Sequence, residues 1–91
     1  MAHGRQGPTR AEVRERVARL VSEVLKIPQE QISDTATVDN ELQMQSISFV
    51  ELQVAIEEAY DIQVDPIQIV ELNAFGAIVD YIHQAAAGAG A

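Results

Sequence analysis

Gln45-Ser46-Ile47-Ser48-Phe49-Val50-Glu51-Leu52-Gln53-Val54-Ala55-Ile56-Glu57-Glu58-Ala59-Tyr60 is the stretch that decides how the rest of the chain is read. Phe49, Leu52, Ile56 and Ala59 or Tyr60 recur at the three- and four-residue spacing of one helix face. Ile47, Val50 and Val54 follow at i, i+3 and i+7 on a second stripe. The run therefore predicts a helix from about Ser46 to Tyr60. An apolar stripe is ordinarily core. Here the first stripe already supplies the interior, so Ile47, Val50 and Val54, beside Glu51, Glu57 and Glu58, read as an outward docking face with an acidic rim.

Working outward, the flanks also spell helices. Upstream, Thr9 and Glu12 have the spacing of a capping box, in which each side chain satisfies the other's free backbone N–H. Val13, Val17, Leu20, Val21, Val24 and Leu25 then mark one face of a first helix, which Pro28 stops near Lys26. Downstream, Asp65 as cap, Pro66 at the first helical position and Gln68 closing a D-x-x-Q box predict a short third helix. Asn73 is the expected cap of a fourth helix, with Phe75, Ile78, Val79 and Ile82 as its apolar face. Between the first two long helices, residues 29–45 are polar and weakly periodic. They read as a long ordered loop pinned by Ile32, Val38 and Leu42, and loops of that length in compact domains are often functional. Strand signals are sparse: Asp61-Ile62-Gln63-Val64 alternates but is too brief to build a sheet. The expected fold is all-α, a small bundle of three longer helices and one short one. Residues 1–8 read as a flexible lead-in, 9–84 as the single domain, and 85–91 as a flexible Ala/Gly tail.

The charge is unevenly distributed. The 91 residues carry a formal net charge of −8, with six Lys and Arg against 14 Asp and Glu. Every basic residue lies at or before Lys26; from Ile27 to Ala91 there are 11 acidic side chains and no Lys or Arg. Such a surface repels nucleic acid and anionic membrane and hastens encounter with basic protein surfaces. There is no cysteine, so any thioester chemistry needs a sulfur from a prosthetic group. No secretory signal and no run of the roughly 20 apolar residues needed to span a bilayer is present, which makes a cytoplasmic protein the default expectation. Catalytic machinery and metal ligands are not expected. Glu57 and Glu58 point about 100 degrees apart around a helix, no histidine joins them, and no EF-hand pattern with its central glycine occurs.

From Gln45-Ser46-Ile47 through Glu57-Glu58-Ala59-Tyr60-Asp61 to Asp80-Tyr81-Ile82 the chain resembles the acyl carrier protein family. The family pattern is Asp-Ser-Leu at a helix start, a Val-Glu-Leu run, an acidic-aromatic helix end and a final helix closing in Tyr-Ile. Val38 and Leu42 match its loop anchors, and the likeness covers about Val13 to His83. The resemblance implies a four-helix carrier that is not itself an enzyme. It implies that a phosphopantetheinyl transferase moves 4'-phosphopantetheine from coenzyme A onto Ser46, and that the arm's thiol carries acyl or ketide groups as thioesters. It implies partners, namely acyl-loading, condensing and modifying enzymes with basic docking surfaces, that meet the second helix at Ile47, Val50, Glu51, Val54, Glu57 and Glu58. A monomer is expected.

Taken alone, a serine at a helix start is most often a cap; the matched surroundings reverse that preference, and Ser48, off the family register, ranks far below Ser46. Gln45 stands where the family usually has Asp, and Gln43 where it usually has Gly. The third helix, usually acidic, has Ile67, Ile69 and Val70, which moves apolar surface toward the arm side. These departures point to a specialised lipid or polyketide pathway. An aminoacyl or peptidyl carrier of nonribosomal synthesis is one alternative, although the chain lacks a Gly-Gly-His-Ser type site. An unmodified acidic helical adaptor is the other. Phe75, Ile78, Val79 and Ile82 read as core, which in the family can open to shelter cargo.

Overall fold

The computed structural model describes residues 7–40 and 42–89. Helix α1 spans Arg10–Leu25, α2 Ser46–Tyr60, α3 Pro66–Leu72 and α4 Phe75–Ala89, with a single 3₁₀ turn at Gln29–Gln31. α1 packs on α2 and on α4, and the short α3 bridges α2 and α4. Among the described residues the sole β-type pairing is an isolated antiparallel bridge between Thr37 and Ala74.

Local sequence accounts for most of the helix ends. Glu12 N–H donates to Thr9 Oγ1 at 3.1 Å and Thr9 N–H to Glu12 Oε1 at 3.0 Å, closing the expected capping box. α1 ends at Lys26, a left-handed C-cap whose N–H returns to the Ser22 carbonyl. Asp65 caps α3 by accepting from Ile67 N–H at 2.9 Å, with Pro66 in the first turn. Among the described residues no reciprocal bond from Gln68 occurs; Asp65 N–H donates instead to the Tyr81 hydroxyl. Asn73 does not cap α4. It ends α3 at φ 68°, and its Oδ1 accepts from Val38 N–H at 3.2 Å. The first donors of α4 are satisfied instead by the long loop: Phe75 N–H donates to Ala36 O and Gly76 N–H to Asp34 O, both at 2.8 Å. α4 also continues through Ala89, into the stretch read as a flexible tail, with Ala86 buried. Alanine has the best helix propensity of any residue, which offsets the glycine among them. The lead-in residues 1–6 and the last two residues of the tail lie outside the described residues.

The core is one apolar cluster. Val13, Val17 and Val21 of α1 meet Leu52 and Ile56 of α2, Ile69 of α3, and Phe75, Ile78, Val79 and Ile82 of α4, all buried. The loop contributes Ile32, Val38 and Leu42, as its apolar spacing predicts, together with Ala36. Phe49 and Tyr60, expected in the interior, are only partly buried at its edge. Arg14 ties three elements together. Its Nε donates to Asp34 Oδ1 at 2.7 Å, its Nη2 to Ile32 O at 3.2 Å, and its guanidinium lies 5.4 Å from the Phe75 ring centroid. The loop before α2 is thus held by α1 on one side and by the head of α4 on the other, which fixes where α2 begins.

Candidate functional site

Ser46 is the first residue of α2, one position inside the cap, and it is exposed. The cap is Gln45, whose carbonyl accepts from Phe49 N–H at 3.0 Å but whose side chain makes no capping hydrogen bond. The first turn holds no acidic residue. A helix leaves its first N–H groups without intrahelical acceptors. In α1 and α3 a side chain accepts from one of these groups, and in α4 loop carbonyls do. Among the described residues, α2 alone begins without such an acceptor. The unpaired donors and the positive end of the helix dipole therefore converge beside the Ser46 hydroxyl, an environment suited to a phosphodiester. The residues present fit a phosphopantetheine group on this side chain, and no protein base is needed to hold it.

The approach to α2 is conformationally constrained. Gln43 sits at φ 48°, in the left-handed region, three residues before Ser46. For a residue with a Cβ that conformation costs about 1–2 kcal/mol. Met44 N–H donates to Val38 O at 2.7 Å and Leu42 N–H to Thr37 O at 3.0 Å, which hold the turn in place. Ser46 also forms part of the wall of an open apolar depression of about 280 Å³, whose other walls are Phe49, Pro66, Ile67 and Val70. The rival Ser48 is half-buried.

The second stripe of α2 faces solvent: Ile47 is 64% exposed, Val50 54% and Val54 45%. Glu51 and Glu58 are exposed beside them. Glu57 is placed differently. It is half-buried, and its Oε2 accepts from Val64 N–H at 2.8 Å and from Gln53 Nε2 at 3.4 Å, while Gln53 Nε2 also donates to Val64 O at 3.2 Å. Tyr81 adds a second anchor, its hydroxyl accepting from Asp65 N–H at 3.0 Å. Together these bonds fix the segment that leads into α3. Apart from the i,i+4 pair Gln53–Glu57, nothing in the spacing of these side chains announces the bonds, because the other partners are backbone groups of Val64 and Asp65 outside the helix that carries each side chain.

The one-sided charge of the sequence has a structural counterpart. Arg10 pairs with Asp80 and Gly76 O, Arg14 with Asp34, and Arg16 lies 5.4 Å from the Tyr60 ring centroid. Arg10 is raised above its ordinary pKa chiefly by the hydrogen bond to Asp80. Burial raises the Tyr60 phenol, against the lowering effect of Arg16. Arg10, Arg14 and Arg16 are thereby drawn toward α4, the loop and the end of α2, and α2 and α3 carry no Lys or Arg of their own. Among the described residues no group of three His, Cys, Asp or Glu is placed to hold a metal ion, and no described helix is long and apolar enough to cross a membrane.

Residues 15–82 match the family model described as the phosphopantetheine attachment site. The structure is similar to that of the acyl carrier protein from Enterococcus faecalis, with a TM-score of 0.70 and 28% sequence identity over 86% of this chain and 99% of that one.

Proposed function

The chain belongs to the acyl carrier protein family, whose domain is the site of covalent 4'-phosphopantetheine attachment, and on that premise we propose that Ser46 is the attachment residue and that its arm carries acyl or ketide groups as thioesters. Members of this family are carriers rather than catalysts. The observation that supports Ser46 is its exposed position as the first residue of a helix for whose leading N–H groups no acceptor occurs among the described residues. In the loading reaction a phosphopantetheinyl transferase directs the serine oxygen at the pantetheine-bearing phosphorus of coenzyme A. A new P–O bond forms, the bond to adenosine 3',5'-bisphosphate breaks, and the serine proton leaves to a base of the transferase. Once attached, the group supplies the thiol that this cysteine-free chain lacks. The chain's own part is to present the hydroxyl and to stabilise the phosphodiester with the α2 N-terminus.

Partner enzymes dock, in this reading, on Ile47, Val50 and Val54 with Glu51, Glu57 and Glu58. The exposure of the three aliphatic residues and of Glu51 and Glu58 supports it. Glu57 contributes its charge while one of its oxygens is engaged by the loop. Gln43, Gln45 and the apolar α3 favour a specialised lipid or polyketide pathway over housekeeping fatty acid synthesis. Failure to complement a strain lacking its housekeeping carrier is the expected result, and growth would contradict the assignment. The test of the central reading is intact-protein mass after incubation with coenzyme A and broad-range transferases. The wild type should gain one phosphopantetheine and Ser46→Ala none. An unchanged wild-type mass across several transferases would favour an unmodified adaptor.

A further inference from the structure

We propose that Asn73, in the turn between α3 and α4, is a positioning residue for the loading reaction: acting through Val38 and Met44, it holds the head of α2 and so fixes where the Ser46 hydroxyl stands. The inference rests on Ser46 being the attachment residue and adds a residue, distant in sequence, on which the rate of its modification depends.

Three observations carry it. The first is backbone strain. Asn73 lies at φ 68° and ψ −48°, and Ala74 N–H donates across it to Leu72 O at 2.7 Å. This is a γ-turn of the rare, strained kind, and a residue with a Cβ persists in such a conformation only where its surroundings over-determine it. Here the long loop does so. Val38 N–H donates both to Asn73 O at 2.9 Å and to Asn73 Oδ1 at 3.2 Å. Side chain and carbonyl thus grip one donor, which locks the turn against rotation of the Asn73 peptide. The second observation lies on the other edge of Val38, whose carbonyl accepts from Met44 N–H at 2.7 Å, just before Ser46. Val38 is buried and Met44 packs against the core, so the relay is held at its middle as well as at its end. Third, the head of α2 has little else to hold it. Among the described residues no side chain accepts from its leading N–H groups, Ile47 is exposed, Phe49 is only partly buried, and the fully buried Leu52 and Ile56 come later.

A helix start without a side-chain cap frays. The bond from Met44 to Val38, and behind it the turn at Asn73, supplies the order that a cap would otherwise give. That order matters to the chemistry, because the serine oxygen must meet the phosphorus of coenzyme A in line, and a misplacement of about 1 Å costs on the order of a hundredfold in rate. The docking residues Glu51, Val54 and Glu58 lie beyond the first turn of α2. Loosening at the head therefore lowers the rate of the bound complex more than it lowers affinity.

The experiment uses the full chain, coenzyme A and a broad-range transferase, with loading followed by intact mass across carrier concentration. Asn73→Gly removes the side-chain acceptor and still folds, since glycine adopts positive φ freely. Its kcat should fall roughly fivefold, the factor that one hydrogen bond of ordinary net strength represents, while KM for the carrier stays within about twofold of the wild type. Asn73→Asp keeps an acceptor for Val38 N–H and tolerates positive φ, so it should load like the wild type. Thr9→Ala, which weakens the chain at the far end of α1 by removing the acceptor of its capping box, should also load normally. Hydrogen exchange at the Met44 amide should accelerate in Asn73→Gly and in neither of the other two. An unchanged kcat in Asn73→Gly while the wild type is loaded would overturn the proposal and leave the assignment of Ser46 standing. So would an equal loss in Thr9→Ala, which would reduce the effect to general destabilisation, or a rise in KM at constant kcat, which would place it in docking. A wild type that no transferase loads would remove both readings.

Discussion

Glu57 and Glu58 are neighbours with the same charge, and the structure gives them different jobs. Glu57 Oε2 accepts the Val64 N–H at 2.8 Å, and Val64 is buried. Glu58 is exposed and no hydrogen bond from it occurs among the described residues. Replacing Glu57 by Ala would leave that buried N–H without an acceptor. It would also strip Gln53 Nε2 of one of its two acceptors. An orphaned buried donor costs about 1–3 kcal/mol, so Glu57→Ala should lose about 2 kcal/mol of stability, whereas Glu58→Ala should stay within about 0.5 kcal/mol of the wild type, as surface substitutions do. Both variants remove one negative charge from a chain of net charge −8, so general charge relief is the same in each and cancels in the comparison. Urea unfolding followed by circular dichroism measures the difference as a shift in midpoint at unchanged slope. Glu57→Gln, which keeps a neutral acceptor, should fall between the two. Hydrogen exchange at the Val64 amide should accelerate in Glu57→Ala and not in Glu58→Ala. Equal midpoints for the two alanine variants would refute the assignment of Glu57 as the residue that fixes the entry to α3.

Gln43→Gly should stabilise the chain: it removes about 1–2 kcal/mol of left-handed strain against about 0.5–1 kcal/mol of extra backbone entropy lost on folding, and a thermal melt showing it no more stable than Gln43→Ala would contradict the strain. Gly76→Ala should destabilise by on the order of 1 kcal/mol, because overpacking outweighs the gain in helix propensity. The new Cβ would lie 3.1 Å from Asp34 Cβ, and Asp34 is held by both Arg14 and the Gly76 N–H; calorimetry reads the change. The raised Tyr60 pKa means that the folded state binds its phenolic proton more tightly than the unfolded chain does. Stability from this source is therefore intact below the unfolded value near 10 and is lost as pH climbs through the higher folded value. Tyr60→Phe should flatten the alkaline fall in denaturant midpoint, and an identical fall in both proteins would exclude Tyr60 as its source.

Sequence by itself determined the elements whose causes are local. The Thr9–Glu12 box, the Asp65-Pro66 start and the stripe Phe75, Ile78, Val79 and Ile82 each need only residues a few positions apart, and each is found where the spacing puts it. The position of Ser46 at the head of α2 was legible for the same reason. Tertiary structure alone decided what depends on partners far along the chain. It gave Asn73 to Val38 and left the head of α4 to loop carbonyls from Asp34 and Ala36. It drew Glu57 toward Val64, and it set Ile67 and Val70 around the same depression as Ser46. A helix period records which side chains share a face. Which orphaned backbone group a face will meet depends on how loops return across the bundle, and a one-dimensional pattern carries no record of that.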